Sequence, residues 1–160
     1  MKYAHVVNSP ALRDYFGKRS TQWILELNTL INKSGIRESE VTDKNAENKL
    51  RTTQKWSWLG FFFFYYWAAY HNSVYWLQLV IFMSVLNTID MLFFSGVFSA
   101  GIAIAPGVYL GFFGKSLLLT AKAKELDETG NLTSPSWVRV IIAFVVFNTP
   151  IILTVLFLEL

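Results

Sequence analysis

The chain has 160 residues, 53% of them hydrophobic and only 16% charged, whereas a soluble domain carries nearer a quarter charged residues. Ten of the fourteen Lys and Arg lie in residues 1–55, and between Trp56 and Gly114 the only formal charge is Asp90. With no cysteine, disulfides and thiolate metal sites are excluded. The basic balance sits beside apolar segments, where the positive-inside rule accounts for it without nucleic acid.

Ser9-Pro10 reads as a helix start, with Ser9 as N-cap and Pro10 at the first helical position. Leu12, Phe16, Trp23, Leu27, Leu30 and Ile31 recur at helical spacing. Gly35 is the expected C-cap. Residues 10–34 are therefore an amphipathic helix, whose apolar face must meet a membrane surface, a partner or the rest of the chain. Residues 36–55 are polar and read as a solvated helix or linker. They end in Lys49, Arg51 and Lys55, which are expected at an anionic lipid surface.

The next segment, 56–73, is densely aromatic. Trp56, Trp58, Phe61, Phe62, Phe63, Trp67 and Tyr70 suit the membrane interface, and its length suits an interfacial or re-entrant segment better than a crossing. His71-Asn72-Ser73 reads as a polar kink. Two apolar stretches follow, 74–92 and 97–113, with Ser95-Gly96 as the turn. Residues 74–113 form the expected transmembrane hairpin, 114–136 an amphipathic loop, and 137–160 a last transmembrane helix. The all-α fold so predicted has about three crossings. That count puts all fourteen basic residues on one side, with the N-terminus cytoplasmic and the C-terminus outside.

Within the membrane segments, Ser95, Ser99, Ala103, Gly107 and Gly111 make an i+4 ladder of small residues that lets helix backbones approach closely. It serves another helix of the same chain, an oligomer or a partner. Asn87 and Asp90 are the intramembrane polar residues. An ionisable group there is a functional candidate by default, but its place near the outer end favours a hydrated carboxylate closing the helix. Pro150 frees a backbone carbonyl in the last crossing, which Asn148 or Thr149 is expected to satisfy. Glu125, Asp127 and Glu128 alternate with lysines as a solvated face.

His5 and His71 have no ligand at metal spacing, and no nucleophile–base pair or phosphate loop stands out. No cofactor, metal or enzymatic activity is expected.

Trp58-Leu59-Gly60-Phe61-Phe62-Phe63, followed by Tyr66-Trp67 and Tyr70, resembles the signature of the small bacterial inner-membrane proteins called domain of unknown function 2628. The resemblance covers most of 10–125. Phe64-Tyr65 stands where that family has Gly-Pro, His71-Asn72 where it has a basic pair, and Pro106 where it has Asn. The resemblance implies architecture and a bacterial inner-membrane location, not an activity. The expected role is a non-enzymatic, multi-pass protein that binds another membrane protein or a toxin, of the immunity or accessory type. The alternative is an oligomeric pore or small transporter subunit assembled on the small-residue ridge. A membrane-surface enzyme ranks last.

Overall fold

The structure, a computed structural model, describes residues 2–36, 43–73 and 76–158. The expected start of the first crossing, Val74, lies outside them. All the regular elements among the described residues are helices, and they sort into two compact units.

The first unit comprises Met1–Ser57 and Phe112–Pro135. It opens with α1 (Tyr3–Val7) and α2 (Pro10–Phe16). Ser9 joins them: its Oγ donates to the Val6 carbonyl at 2.7 Å and accepts the Leu12 N–H at 3.2 Å. Pro10 follows at the first helical position, as predicted. The expected single helix over 10–34 is broken. Gly17, at φ 53°, ends α2, a 3-10 turn covers Gly17–Arg19, and α3 runs from Ser20 to Ser34. Gly35 closes α3 in the left-handed conformation at φ 71°, which glycine adopts without a Cβ penalty. In the polar stretch, Asp43 caps α4 (Lys44–Thr52) by accepting the Ala46 N–H at 2.7 Å.

The apolar faces of these helices close on a core that includes Val6, Leu12, Leu27, Leu30, Leu50 and Leu119. The partner of the amphipathic N-terminal region is therefore the chain itself. Leu119, Ala123 and Leu126 come from α8 (Ser99–Thr129), which passes unbroken through Gly114. The loop expected over 114–136 is helical as far as Thr129. After the apolar run ends, Leu, Ala, Lys and Glu keep the helix going by propensity. It stops at Gly130, whose φ is 72°.

The second unit comprises Trp58–Gly111 and Ser136–Leu160. Its aromatic segment forms two short helices, α5 (Trp58–Phe62) and α6 (Phe64–Tyr70). At about 1.5 Å per residue neither approaches the roughly 30 Å of a hydrocarbon core. The next helix, α7 (Trp76–Phe94), leads through a turn into the first part of α8, and α9 spans Trp137–Leu158. Among the described residues three helical stretches are long and apolar enough to cross a membrane: α7, α8 from Ile104, and α9 as far as Phe157.

The core of this unit is small. Tyr65 stacks on Phe147 at 4.7 Å, and Ala69, Val80 and Ala143 are buried beside them. Ile81, Phe82 and Phe93 of α7, and Ile141, Leu153 and Phe157 of α9, are exposed. Apolar surface on that scale marks a protein built for lipid, and the chain is an integral membrane protein.

Candidate functional site

Of the three residues Lys49, Arg51 and Lys55, the first two lie exposed on α4 and the third does not. Arg51 pairs with Glu47 across one turn of α4 at 2.9 Å, and Lys49 is exposed on the same helix. Lys55 turns inward. Its Nζ donates to the Glu26 carbonyl at 3.0 Å, and its backbone N–H donates to the Phe112 carbonyl at 2.9 Å. Lys115 reaches the Glu26 carboxylate at 2.6 Å and lies 5.8 Å from the centre of the Trp23 ring. Lys33 donates to the Gln54 carbonyl at 2.8 Å. Lys115 thus meets the Glu26 carboxylate, Lys55 acts on it by charge, and Lys33 acts by charge on Lys55, in a first unit that folds α3, the 53–57 segment and α8 together.

The electrostatics carry the imprint. Burial pushes the Glu26 carboxyl up, but the hydrogen bond and charge of Lys115 and the charge of Lys55 outweigh it and hold the group below the usual carboxylate value. Burial holds Lys55 below the usual lysine value. Lys115 and Lys33 add to that, and Glu26 opposes it.

A second charged cluster overturns the solvated-face reading of 122–128. Lys122 is 0% exposed. Its Nζ meets the Glu125 carboxylate at 2.7 Å, the Thr133 carbonyl at 3.4 Å and the face of Tyr15 at 4.7 Å. Glu125 also accepts the Thr133 N–H at 2.6 Å and so ties down the loop after α8. Lys124 and Glu128, 3.7 Å apart and well exposed, and the exposed Asp127 behave as predicted. Sequence spacing carries no signal for the burial of Lys122, because its apolar surroundings come from α2 and the N-terminal core.

In the second unit, Asp90 is not hydrated. It is 2% exposed, and its Oδ1 accepts the Phe98 N–H at 3.1 Å. Its own carbonyl accepts from Gly96 at 3.1 Å. The carboxylate therefore closes the hairpin turn at the start of α8. Asn87 is half-buried on α7.

The small-residue ladder starts later than expected. Ser95 lies in the turn, at φ 53°, and not on the helix. The side chains of Ser99 and Ala103 lie outside what the structure describes. Gly107 is where backbones meet: a Cβ built there would stand 2.8 Å from the Phe61 carbonyl oxygen of α5. Gly111 is buried. At Gly107, then, the ridge receives the aromatic segment of the same chain.

That segment divides. Trp58, Phe62 and Phe63 are exposed, and Trp58 stacks on Phe62 at 5.8 Å. Phe61 and Tyr70 are half-buried. Trp67 is buried, 4.9 Å from the His71 ring. Trp56 belongs to the first unit, edge-on to Phe112 at 4.9 Å. His71 and Asn72 form the expected kink, with Asn72 at φ 47°. Arg139 of α9 fixes the end of α6, donating to the carbonyls of Ala69 at 2.9 Å and Tyr70 at 3.2 Å.

Among the described residues no three of His, Cys, Asp or Glu converge as a metal site. No protein-family model, curated protein or solved structure matches the chain.

Proposed function

We propose that the protein is a non-enzymatic membrane accessory protein that holds a small helical binding module at the cytoplasmic face of a bacterial inner membrane. There it binds another membrane protein, in the manner of an immunity or accessory factor. One observation carries the reading: residues 1–57 and 112–135 share one core. A unit built that way lies on one side of a bilayer, so the chain between its two parts crosses an even number of times. A hairpin meets that condition, α7 leading away from the unit and the first part of α8 returning to it by Gly111, with α5 and α6 at the interface. The unit also holds thirteen of the fourteen basic residues, all but Arg139, which favours the cytoplasmic side. On this reading α9 carries the C-terminus across.

Leu25, 69% exposed on α3, gives the module an apolar contact point. The exposed Arg13, Lys18 and Arg19 give it charge. The resemblance to the domain of unknown function 2628 proteins agrees with this architecture and adds no activity. The pore reading is weakened at Gly107, because Phe61 of the same chain takes up that approach.

Crosslinking in native membranes, followed by pull-down through an N-terminal tag, tests the proposal. One stoichiometric foreign membrane protein, lost in Leu25→Asp, is the expected result. A self-crosslinked ladder with ion flux in liposomes would replace it with the pore.

A further inference from the structure

We infer that Lys33, Lys55 and Lys115 form a binding site for the phosphate of an anionic phospholipid headgroup. The inference rests on the membrane reading above and names a ligand for it. Lys115 meets the Glu26 carboxylate, Lys55 lies close enough to act on it by charge, and Lys33 acts in turn on Lys55, so among the described residues of the cluster three ammonium groups face one carboxylate, an excess of two positive charges. Lysine has three donors per ammonium. The bonds that hold Lys33 and Lys55 in place go to backbone carbonyls, of Gln54 and Glu26, which orient the groups without neutralising them. Lys115 does meet a carboxylate, and its place over the Trp23 ring keeps it from swinging away.

The position along the chain selects a lipid over a soluble anion. Lys55 stands three residues before Trp58, where the chain enters the membrane unit, and Lys115 stands four residues after Gly111, where it leaves. Both covalent links to the apolar helices pass through the cluster. Trp23 and Trp56 flank it within the first unit, and tryptophan favours the headgroup level. A phosphate diester there accepts hydrogen bonds from the lysines. The cluster's excess charge distinguishes it from the Lys122–Glu125 pair, which is neutral and closed.

The test uses the full-length protein in nanodiscs of mixed phosphatidylglycerol and phosphatidylcholine. Native mass spectrometry reads the lipids that stay bound after release. The wild type should retain phosphatidylglycerol preferentially. Lys33→Gln and Lys55→Gln should each cut that preference about five-fold, the effect of removing one cation near a lipid surface. Glu26→Gln should raise it, because the competing carboxylate is gone. Lys33→Gln guards against misfolding, since that side chain's bond reaches only a backbone carbonyl in the 53–57 segment, and an unchanged melting temperature certifies it. An unaltered preference in the Lys33→Gln/Lys55→Gln double variant overturns the site. So does loss of the wild-type preference to millimolar inorganic phosphate, which would make it a free-phosphate site. A wild type that fails to enter nanodiscs at all refutes the membrane reading instead.

Discussion

The Ser84 hydroxyl lies 2.9 Å from the Phe147 carbonyl and 3.4 Å from the Val146 carbonyl. Val146 is the residue whose helical partner would be the N–H that Pro150 lacks. Part of the repair therefore comes from α7, as the longer arm of a shared bond whose shorter arm goes to Phe147, and not from the polar residues beside the proline. Asn148 and Thr149 instead donate back to Phe144 and Val145, at 2.7 and 2.8 Å. Ser84→Ala should lower stability by about 0.6–1.7 kcal/mol, the range for hydrogen bonds between membrane helices. Combined with Pro150→Ala, which restores the missing donor, the loss should shrink. Unfolding in mixed micelles for the two single variants and the double variant measures this directly.

Gly107→Ala adds a Cβ at 2.8 Å from a backbone oxygen that cannot rotate away. The expected result is a loss of about 1–3 kcal/mol, as for overpacking, and faster proteolysis after the aromatic segment. Gly101, with nothing within 4 Å of the added carbon, is the control. Gly101→Ala should leave both readouts near the wild type.

Asp90 accepts a backbone N–H, which an amide oxygen can also do. Asp90→Asn should keep the hairpin stable, whereas Asp90→Ala should cost about 1 kcal/mol, as for loss of a helix cap. Equal damage in both variants would mean that the negative charge itself is required. Thermal unfolding in detergent separates the two outcomes.

The Lys122–Glu125 pair should be asymmetric. Glu125→Ala deprives a fully buried ammonium of its carboxylate and should cost about 3–5 kcal/mol. Lys122→Met leaves behind a partly exposed carboxylate that water and Thr133 still reach, and should cost less. Chemical denaturation followed by the fluorescence of a background variant that keeps only Trp23 reports on the first unit. A Lys122→Met loss as large as that of Glu125→Ala would contradict the assigned burial.

Glu26 sets a pH dependence. Its folded value lies below the unfolded one, so its stabilisation is complete above the ordinary carboxylate value near 4.3. It is lost as the pH falls through the lower, folded value. Melting temperature should drop on acidification below about pH 4, and Glu26→Gln should flatten that drop. An identical acid limb in the variant would remove Glu26 as its cause.

Local chemistry was the legible part. Ser9, Pro10 and Gly35 act within a few residues of themselves, and they stand at helix ends as expected. The last helix begins at Trp137, directly after the turn residues at 134–136. What could not be read depended on distant partners. The polar half of α8 has the composition of a surface segment, yet the N-terminal helices bury one face of it. Lys55 follows Lys49 and Arg51 in sequence but keeps company with Lys33 and Lys115 through the fold. Asp90 reads as hydrated because the N–H it accepts, that of Phe98, lies beyond the turn.

The contact between Arg139 and the carbonyls of α6 spans about seventy positions of chain. During synthesis the aromatic helix emerges long before the guanidinium that closes it: Asn72 already serves the Ala69 carbonyl, but the Tyr70 carbonyl waits for Ser136 and Arg139. A ribosome-bound chain halted before Trp137 would have its hairpin but an unfinished aromatic helix. Arrival of the final crossing thus completes an element made near the start, and maturation of the bundle has a defined last step.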